Sequence, residues 1–347
     1  MKLIDTKDAV GQVLCHDITQ IIKGVTKDAV FRKGHVVTPE DIPVLLSIGK
    51  EHLYIWEKDE NMLHENEAAE ILYKLCKGEH MHGSDIKEGK IELIADLDGI
   101  LKIDRTKLLK VNSLGEMMIA GRHGDFPVKK GDKLAGTRII PLVIEKEKML
   151  MAQEAAKGDP IFQILPYRLK TAGVVTTGSE VFKGRITDTF TPVIQEKCRE
   201  YGVEMKEHAI CSDDPKDITG QICRMIEKGV DMVICTGGMS VDPDDKTPLA
   251  IKNSGAEIIS YGAPVLPGAM FLLSYKQLTD EEGNQKEVPV MGLPGCVMYA
   301  KRTIFDLVLP RIVAGERIKK EELDRLGEGG LCLNCDICTY PNCGFGK

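Results

Sequence analysis

Residues 217–240 read DITGQICRMIEKGVDMVICTGGMS. A helix over 217–228 is closed by Gly229, the residue that most readily takes the left-handed turn after a helix. Asp231-Met232-Val233-Ile234-Cys235 then forms a buried strand that runs into the turn Thr236-Gly237-Gly238. Working upstream, 203–210 reads as a strand, 191–201 as a helix ended by Gly202, and 173–177 (GVVTT) as another buried strand. Strands alternating with helices of this length predict an α/β class: a three-layer, mostly parallel sheet with helices on both faces. In such sheets ligands bind beyond the carboxyl ends of the strands.

On either side the rhythm changes. Residues 1–64 read as an N-terminal α/β segment, with a short helix opened by Pro39-Glu40-Asp41 and ended by Gly49, then a strand over 52–56 that includes Trp56. Residues 65–157 read as a helix followed by a small β-rich domain of short strands separated by Gly or Asp-Gly, and 145–156 as a helix leading away. The parallel-sheet domain spans 168–316, and 327–347 is a cysteine-rich tail.

The composition narrows the function classes. The chain has 347 residues, 46 Lys+Arg against 53 Asp+Glu, and a net charge of −7, a length suited to two or three domains. With 8 Phe, 8 Tyr and 1 Trp it has few stacking surfaces for single-stranded nucleic acid, and its acidic balance is the wrong footprint for DNA. No nucleic-acid partner is expected. A nest of backbone N–H groups can still bind a small anion on an acidic protein. No apolar run reaches the roughly 18 residues of a membrane span, and the first residues carry charges without the apolar core of a signal peptide. The reading is therefore cytoplasmic, with no membrane partner and scattered cysteines kept reduced.

Two strand ends carry glycine turns, Thr176-Thr177-Gly178-Ser179-Glu180 and Thr236-Gly237-Gly238-Met239-Ser240. Turns of this kind cradle phosphate on backbone amides; the plainer reading is two tight strand-to-helix connections. Carboxylates gather at the same edge: Glu180, Asp188, Asp213, Asp214, Asp242, Asp244 and Asp245. Acids beside phosphate-cradling amides suit a bridging divalent ion, whereas Asp188 and Asp214 also fit as helix N-caps.

The order TTGSEV, GRITDT, CSDDP, TGGMSVDPDDKTP and GLPG over about 168–316 closely resembles the molybdenum-cofactor biosynthesis fold. This family includes molybdopterin adenylyltransferases and gephyrin-type molybdopterin molybdotransferases. GQVLCHDI and FRKGHVVTPEDIPVLLSIGKEHLYI are similar to the molybdotransferase N-terminal region. The resemblance implies binding of molybdopterin, free or adenylylated, and a transferase that uses Mg2+ and molybdate or tungstate to cleave the adenylyl group and insert the metal. It implies catalytic roles for Glu180, Asp213 and Asp245. It implies cofactor contacts from Thr177, Gly178, Ser179, Asp188, Thr236, Gly237, Gly238, Ser240, Gly268, Gly292, Pro294 and Gly295. A homodimer and a client molybdoenzyme follow from the same resemblance. The alternatives are a non-catalytic carrier of the pterin cofactor, or an adenylyltransferase or nucleotide pyrophosphatase of the same fold. Where the transferases carry P-G-K-P preceded by a lysine, this chain has Leu266-Pro267-Gly268-Ala269-Met270, and where they carry G-L-P-G-N-P it has Gly292-Leu293-Pro294-Gly295-Cys296-Val297. The missing cations weaken the usual hold on an oxyanion. Cys296 is either a soft ligand for molybdenum or packing.

Cys332, Cys335, Cys338 and Cys343 give C-x2-C-x2-C-x4-C. Four thiolates in twelve residues predict a metal centre, iron–sulfur or zinc, with a metal-free tail as the third reading. The charged stretch 321–326 reads as a linker that leaves the tail a mobile appendage. His35, His80, His82, Arg105-Thr106 and Arg122-His123 are weaker candidates for metal or ligand contacts.

Overall fold

The computed structural model describes every residue except 1, 23–25, 56–59, 241, 244 and 280–282. The Trp56 end of the expected strand and Asp244 of the expected carboxylate group therefore lie outside the described residues. The chain divides into two compact units, 1–96 with 103–122 and 131–163, and 97–102 with 123–130 and 164–347.

In the first unit Lys2–Asp5 pairs antiparallel with His52–Ile55. The helix Asp41–Ser47 packs through Leu45 into a small core with Leu14, Ile18 and Leu53. The helix Glu65–Cys76 begins at a buried histidine: His64 accepts from the Asn66 amide at 3.3 Å, while Glu67 accepts from the His64 amide at 2.9 Å. A four-stranded sheet follows in the order Met81–Gly83, Ile91–Ala95, Lys133–Ile139, Met117–Gly121. One element corrects the all-strand reading of this region. Arg105–Asn112 is a helix, started by the Asp104 carboxylate on the Lys107 amide at 2.9 Å. It buries only Val111, so its apolar period is too weak to stand out in the sequence. Arg105 and Thr106 form its first turn.

The second unit is the layered sheet. Its strands are β1 (Thr171–Thr177), β2 (Glu204–Cys211), β3 (Met232–Thr236), β4 (Glu257–Tyr261), β5 (Leu272–Thr279) and β6 (Gln285–Leu293), in the order β2-β1-β3-β6-β5-β4. The first three contacts in that order are parallel and the last two antiparallel. β1 and β3 are buried on both faces, and their centres, Ala172 to Val175 and Met232 to Cys235, read as apolar runs, as suits central parallel strands. β2 lies at the edge, and its alternation of exposed with half-buried positions, EMKEHAIC, suits an edge strand.

Successive strand residues face opposite layers. Val174, Met232 and Ile234 enter one core with Ile194, Phe305 and Val308. Val175, Val233 and Cys235 enter the other with Ile218, Ile222, Met225 and Ile251. The helices Phe190–Arg199 and Ile304–Val313 thus cover one face, and Pro215–Glu227 and Thr247–Asn253 the other. The fold is the three-layer, mostly parallel α/β arrangement expected. Of the described residues, no helix is long and apolar enough to cross a membrane.

Candidate functional site at the carboxyl edge

Strand register lines up one edge of the sheet. Thr177 stands opposite Cys211, Thr176 opposite Thr236, Thr236 opposite Leu293, and Gly292 opposite Leu272, which pairs with Tyr261. Both glycine turns leave from this row.

The two turns are clasped together. Thr247, fully buried, donates its hydroxyl to the Gly237 carbonyl at 2.8 Å and lies 3.2 Å from the Thr177 hydroxyl. Gly237 (φ 83°) passes so close to Thr177 that a Cβ there would overlap the Thr177 carbonyl oxygen and stand 2.8 Å from its Oγ1. Gly238 (φ 55°) would bring a Cβ within 3.0 Å of Thr247 Oγ1. Glycine is needed at Gly237 for both reasons, the left-handed backbone and the close approach.

Two of the expected acids hold these turns. Asp213 accepts the Ser179 amide at 2.8 Å, tying the end of β2 to the first turn. Asp245 accepts the Ser240 amide at 2.8 Å, closing the loop after β3. Tyr261 braces that loop from β4, donating its hydroxyl to the Met239 carbonyl at 3.0 Å. Burial, reinforced by the Asp245 carboxylate, pushes the Tyr261 phenol up and keeps it a donor. Glu180 is exposed in the first turn of the short helix Ser179–Phe182.

Asp188 and Asp214 act as caps. Asp214 accepts the Lys216 amide at 2.7 Å. Asp188 accepts the amides of Phe190 at 2.9 Å and Thr191 at 3.1 Å. Its carboxylate also faces Thr176 at 3.3 Å and His208 Nε2 at 3.5 Å. Burial alone would raise the Asp188 pKa; the hydrogen bonds from Thr191 and Phe190, with His208 nearby, outweigh it and hold the group below the usual carboxylate range.

The remaining expected contacts divide between packing and exposure. Gly268 (φ 124°) is pressed against Ile304, and Gly292 lies under Met239, whose Cε stands 2.5 Å from where a Cβ would be. Pro294 is buried and Gly295 exposed. Burial raises the Cys296 thiol, keeping it protonated, which suits packing better than metal ligation. Thr236 Oγ1, fully buried at the end of β3, has no hydrogen-bond partner among the described residues. His208 and Thr247 escaped the sequence reading. The partners of their side chains lie 10 to 70 residues away in sequence, beyond the reach of a helix or strand period.

Among the described residues no three His, Cys, Asp or Glu side chains are gathered closely enough to hold a single ion. Glu180, Asp213 and Asp245 therefore share an edge without forming a three-carboxylate cation site. His35 instead pairs with Asp41 at 2.6 Å, His82 with Asp96 at 2.5 Å and Arg122 with Asp132 at 2.7 Å.

The tail is not an appendage. Leu266 and Leu331 form a β-bridge, and the Cys332 amide donates to the Leu266 carbonyl at 2.8 Å. Tyr340 donates to the Asp306 carbonyl at 2.8 Å, and Phe345 enters the core at 4% exposure. The stretch expected as a linker contains the helix Lys320–Asp324, with Leu323 fully buried.

The two interlocked glycine turns lie at the carboxyl edge of a doubly wound sheet, the place where sheets of this class bind small ligands. Residues 173–314 match the family described as a probable molybdopterin binding domain, and residues 3–57 match a domain of unknown function, DUF8806. The match to the molybdopterin-binding family lies within the second unit. Among curated proteins, the CinA-like protein of Mycobacterium avium (strain 104) is 41% identical over 222 residues, covering 51% of each chain. That of Mycobacterium leprae (strain TN) is 32% identical over 157 residues, covering 40% of this chain and 36% of the relative. The chain spans about half or less of the length of these relatives. Among solved structures, the molybdopterin biosynthesis enzyme MoaB of Thermus thermophilus is 19% identical, with 44% of this chain and all of that one covered and a TM-score of 0.34. The tungsten cofactor synthesizing protein MoaB of Pyrococcus furiosus is likewise 19% identical, covering 44% and 99%, with a TM-score of 0.32.

Proposed function

We propose that the carboxyl edge binds molybdopterin or its adenylylated form, and that the chain inserts molybdenum or tungsten, presented as molybdate or tungstate, with release of AMP. The observation that carries this reading is the clasp of Thr177, Gly237 and Thr247, which fixes two glycine turns side by side at the end of adjacent strands. Turn amides held in this way bind phosphate groups without cationic side chains. The buried Thr236 hydroxyl at the same edge, without a partner among the described residues, adds a polar atom for a ligand to satisfy.

In this reading Asp213 and Asp245 orient the turns, and Glu180, exposed beside Gly178, faces the incoming oxyanion and the phosphoanhydride. The three carboxylates are not assigned joint hold of Mg2+, because they do not form a cation site among themselves. A dimer and delivery to a molybdoenzyme belong to the same proposal.

The carrier reading has an observation of its own. The stretch 266–270 has no lysine, and the Ser179 and Ser240 amides are already satisfied by Asp213 and Asp245. AMP release from adenylylated molybdopterin, measured with Mg2+ and with or without molybdate, separates the readings. Molybdate-dependent release that Asp245→Ala abolishes supports insertion. Tight binding with no release by either protein refutes it in favour of a carrier, and release from ATP-like nucleotides alone refutes it in favour of a pyrophosphatase or adenylyltransferase.

A further inference from the structure

We propose that Cys332, Cys335, Cys338 and Cys343 hold an iron–sulfur cluster of the [4Fe–4S] type, seated in a cavity that the C-terminal segment forms within the second unit. All four thiols line one cavity of about 220 Å3, together with Lys301, Arg302 and the apolar side chains of Leu331, Leu333, Tyr340 and Phe345. All four are free of disulfides.

The size and arrangement favour a polynuclear centre over a single zinc ion. Zinc draws four thiolates to about 2.3 Å from one point, which places the sulfurs about 3.8 Å from each other. Here the thiols stand around a cavity, and no three metal-binding side chains meet at one point among the described residues. A cluster of iron and sulfide occupies such a volume and is ligated from its corners by four cysteines.

The charge at the wall is of the right sign. A cluster with four thiolate ligands is anionic, and two cationic side chains, Lys301 and Arg302, line its cavity. Lys301 also fastens the loop that presents the middle ligands, donating to the carbonyls of Cys335 at 3.0 Å and Asp336 at 2.7 Å. Arg302 is fixed over the Tyr340 ring at 5.0 Å and paired with Asp306 at 2.9 Å.

The scaffold divides the ligands into two anchored and two adjustable. Cys332 and Cys343 are half-buried against the core, held by the Leu266–Leu331 bridge on one side and by Phe345 on the other. Cys335 and Cys338 are exposed on the intervening loop. A cavity with two fixed ligands and two on a closing loop admits iron and sulfide first and is then sealed. Each thiol loses its proton on ligation.

The test is metal analysis of the full chain, purified without oxygen and reconstituted with ferrous iron and sulfide. About four iron and four sulfide per chain, with a broad visible absorption that dithionite bleaches, are expected. Cys338→Ser should lose most of the iron, while Cys223→Ser, on the far helix Pro215–Glu227, should keep it. Lys301→Gln should keep the iron and move the cluster's reduction potential to a more negative value. One zinc per chain without iron, four titratable thiols without metal, equal iron in Cys338→Ser and wild type, or an unchanged potential in Lys301→Gln would each overturn the proposal. Far-UV circular dichroism of Cys338→Ser separates loss of the ligand from loss of the fold.

Discussion

Replacing Gly237 by alanine tests whether the close approach of the two turns shapes the site. Two costs act there. At φ 83° an L-residue takes the left-handed conformation, which costs roughly 1–2 kcal/mol. The new methyl also overlaps the Thr177 carbonyl oxygen, and backbone cannot swing aside as a side-chain tip does. Forcing atoms into a packed site adds about 1–3 kcal/mol, for a total of roughly 2–5 kcal/mol. Gly229→Ala supplies the reference. Its φ is 81°, yet no atom of the described residues lies within 4 Å of a Cβ, so it carries the backbone cost alone, about 1–2 kcal/mol. Urea unfolding followed by circular dichroism gives both values, and anaerobic equilibrium binding of molybdopterin gives the functional effect. Gly237→Ala should unfold at lower urea than Gly229→Ala and bind at least tenfold more weakly, a change of about 1.4 kcal/mol. If the two variants unfold within about 0.5 kcal/mol of each other and bind alike, contact between the turns does not shape the site.

Three further outcomes follow from particular contacts. Gly292→Ala pushes a methyl against Met239, costing about 1–3 kcal/mol; because methionine is a flexible neighbour, adding Met239→Ala should return at least half, and a strictly additive double mutant would refute the contact. Asp306, 2% exposed, holds Lys197 at 2.6 Å, Arg302 at 2.9 Å and the Thr303 amide at 2.7 Å. Asp306→Ala leaves the buried Lys197 without its counter-charge and should cost about 3–5 kcal/mol in urea unfolding, a reading that a loss below about 1 kcal/mol would sink. Burial lowers the pKa of His64 and outweighs the Cys15 carbonyl that favours its charged form. Its stabilisation is therefore complete above the unfolded value near 6.5 and is lost as pH falls below it. His16, also lowered by burial, adds a slope of the same sign. His64→Asn, which can still cap the helix, should flatten the fall in unfolding midpoint between about pH 7.5 and 5.5, and an unchanged slope would count against a neutral His64.

What the sequence discloses and what it hides differ in range. Gly202 and Gly229 mark helix ends because only the left-handed residue after each helix selects glycine, and both have positive φ. The apolar centres of β1 and β3, Ala172 to Val175 and Met232 to Cys235, announce a sheet covered on both faces. The edge of the sheet is legible for a related reason: when strands are parallel, the residues that follow them gather without any pairing needing to be known. Contacts closed by tertiary structure are different. Thr247 reaches Thr177 across 70 residues, and Lys301 reaches Cys335 across 34. The tail shows the division most clearly. Its cysteine spacing is a local signal, but Lys301 and Arg302, which line the same cavity as the four thiols, come from the approach to the helix Ile304–Val313. The same division applies to the acids at the edge. Their presence is legible, but their use is not, because Asp213 and Asp245 are engaged with turn amides that a phosphate would need. A phosphorylated ligand at this edge must displace those carboxylates from Ser179 and Ser240, or bind through the remaining amides. Asp213→Asn and Asp245→Asn, which keep an acceptor and remove the charge, should therefore bind the pterin phosphate more tightly than wild type if like-charge repulsion opposes binding, and more weakly if the carboxylates act on the ligand directly.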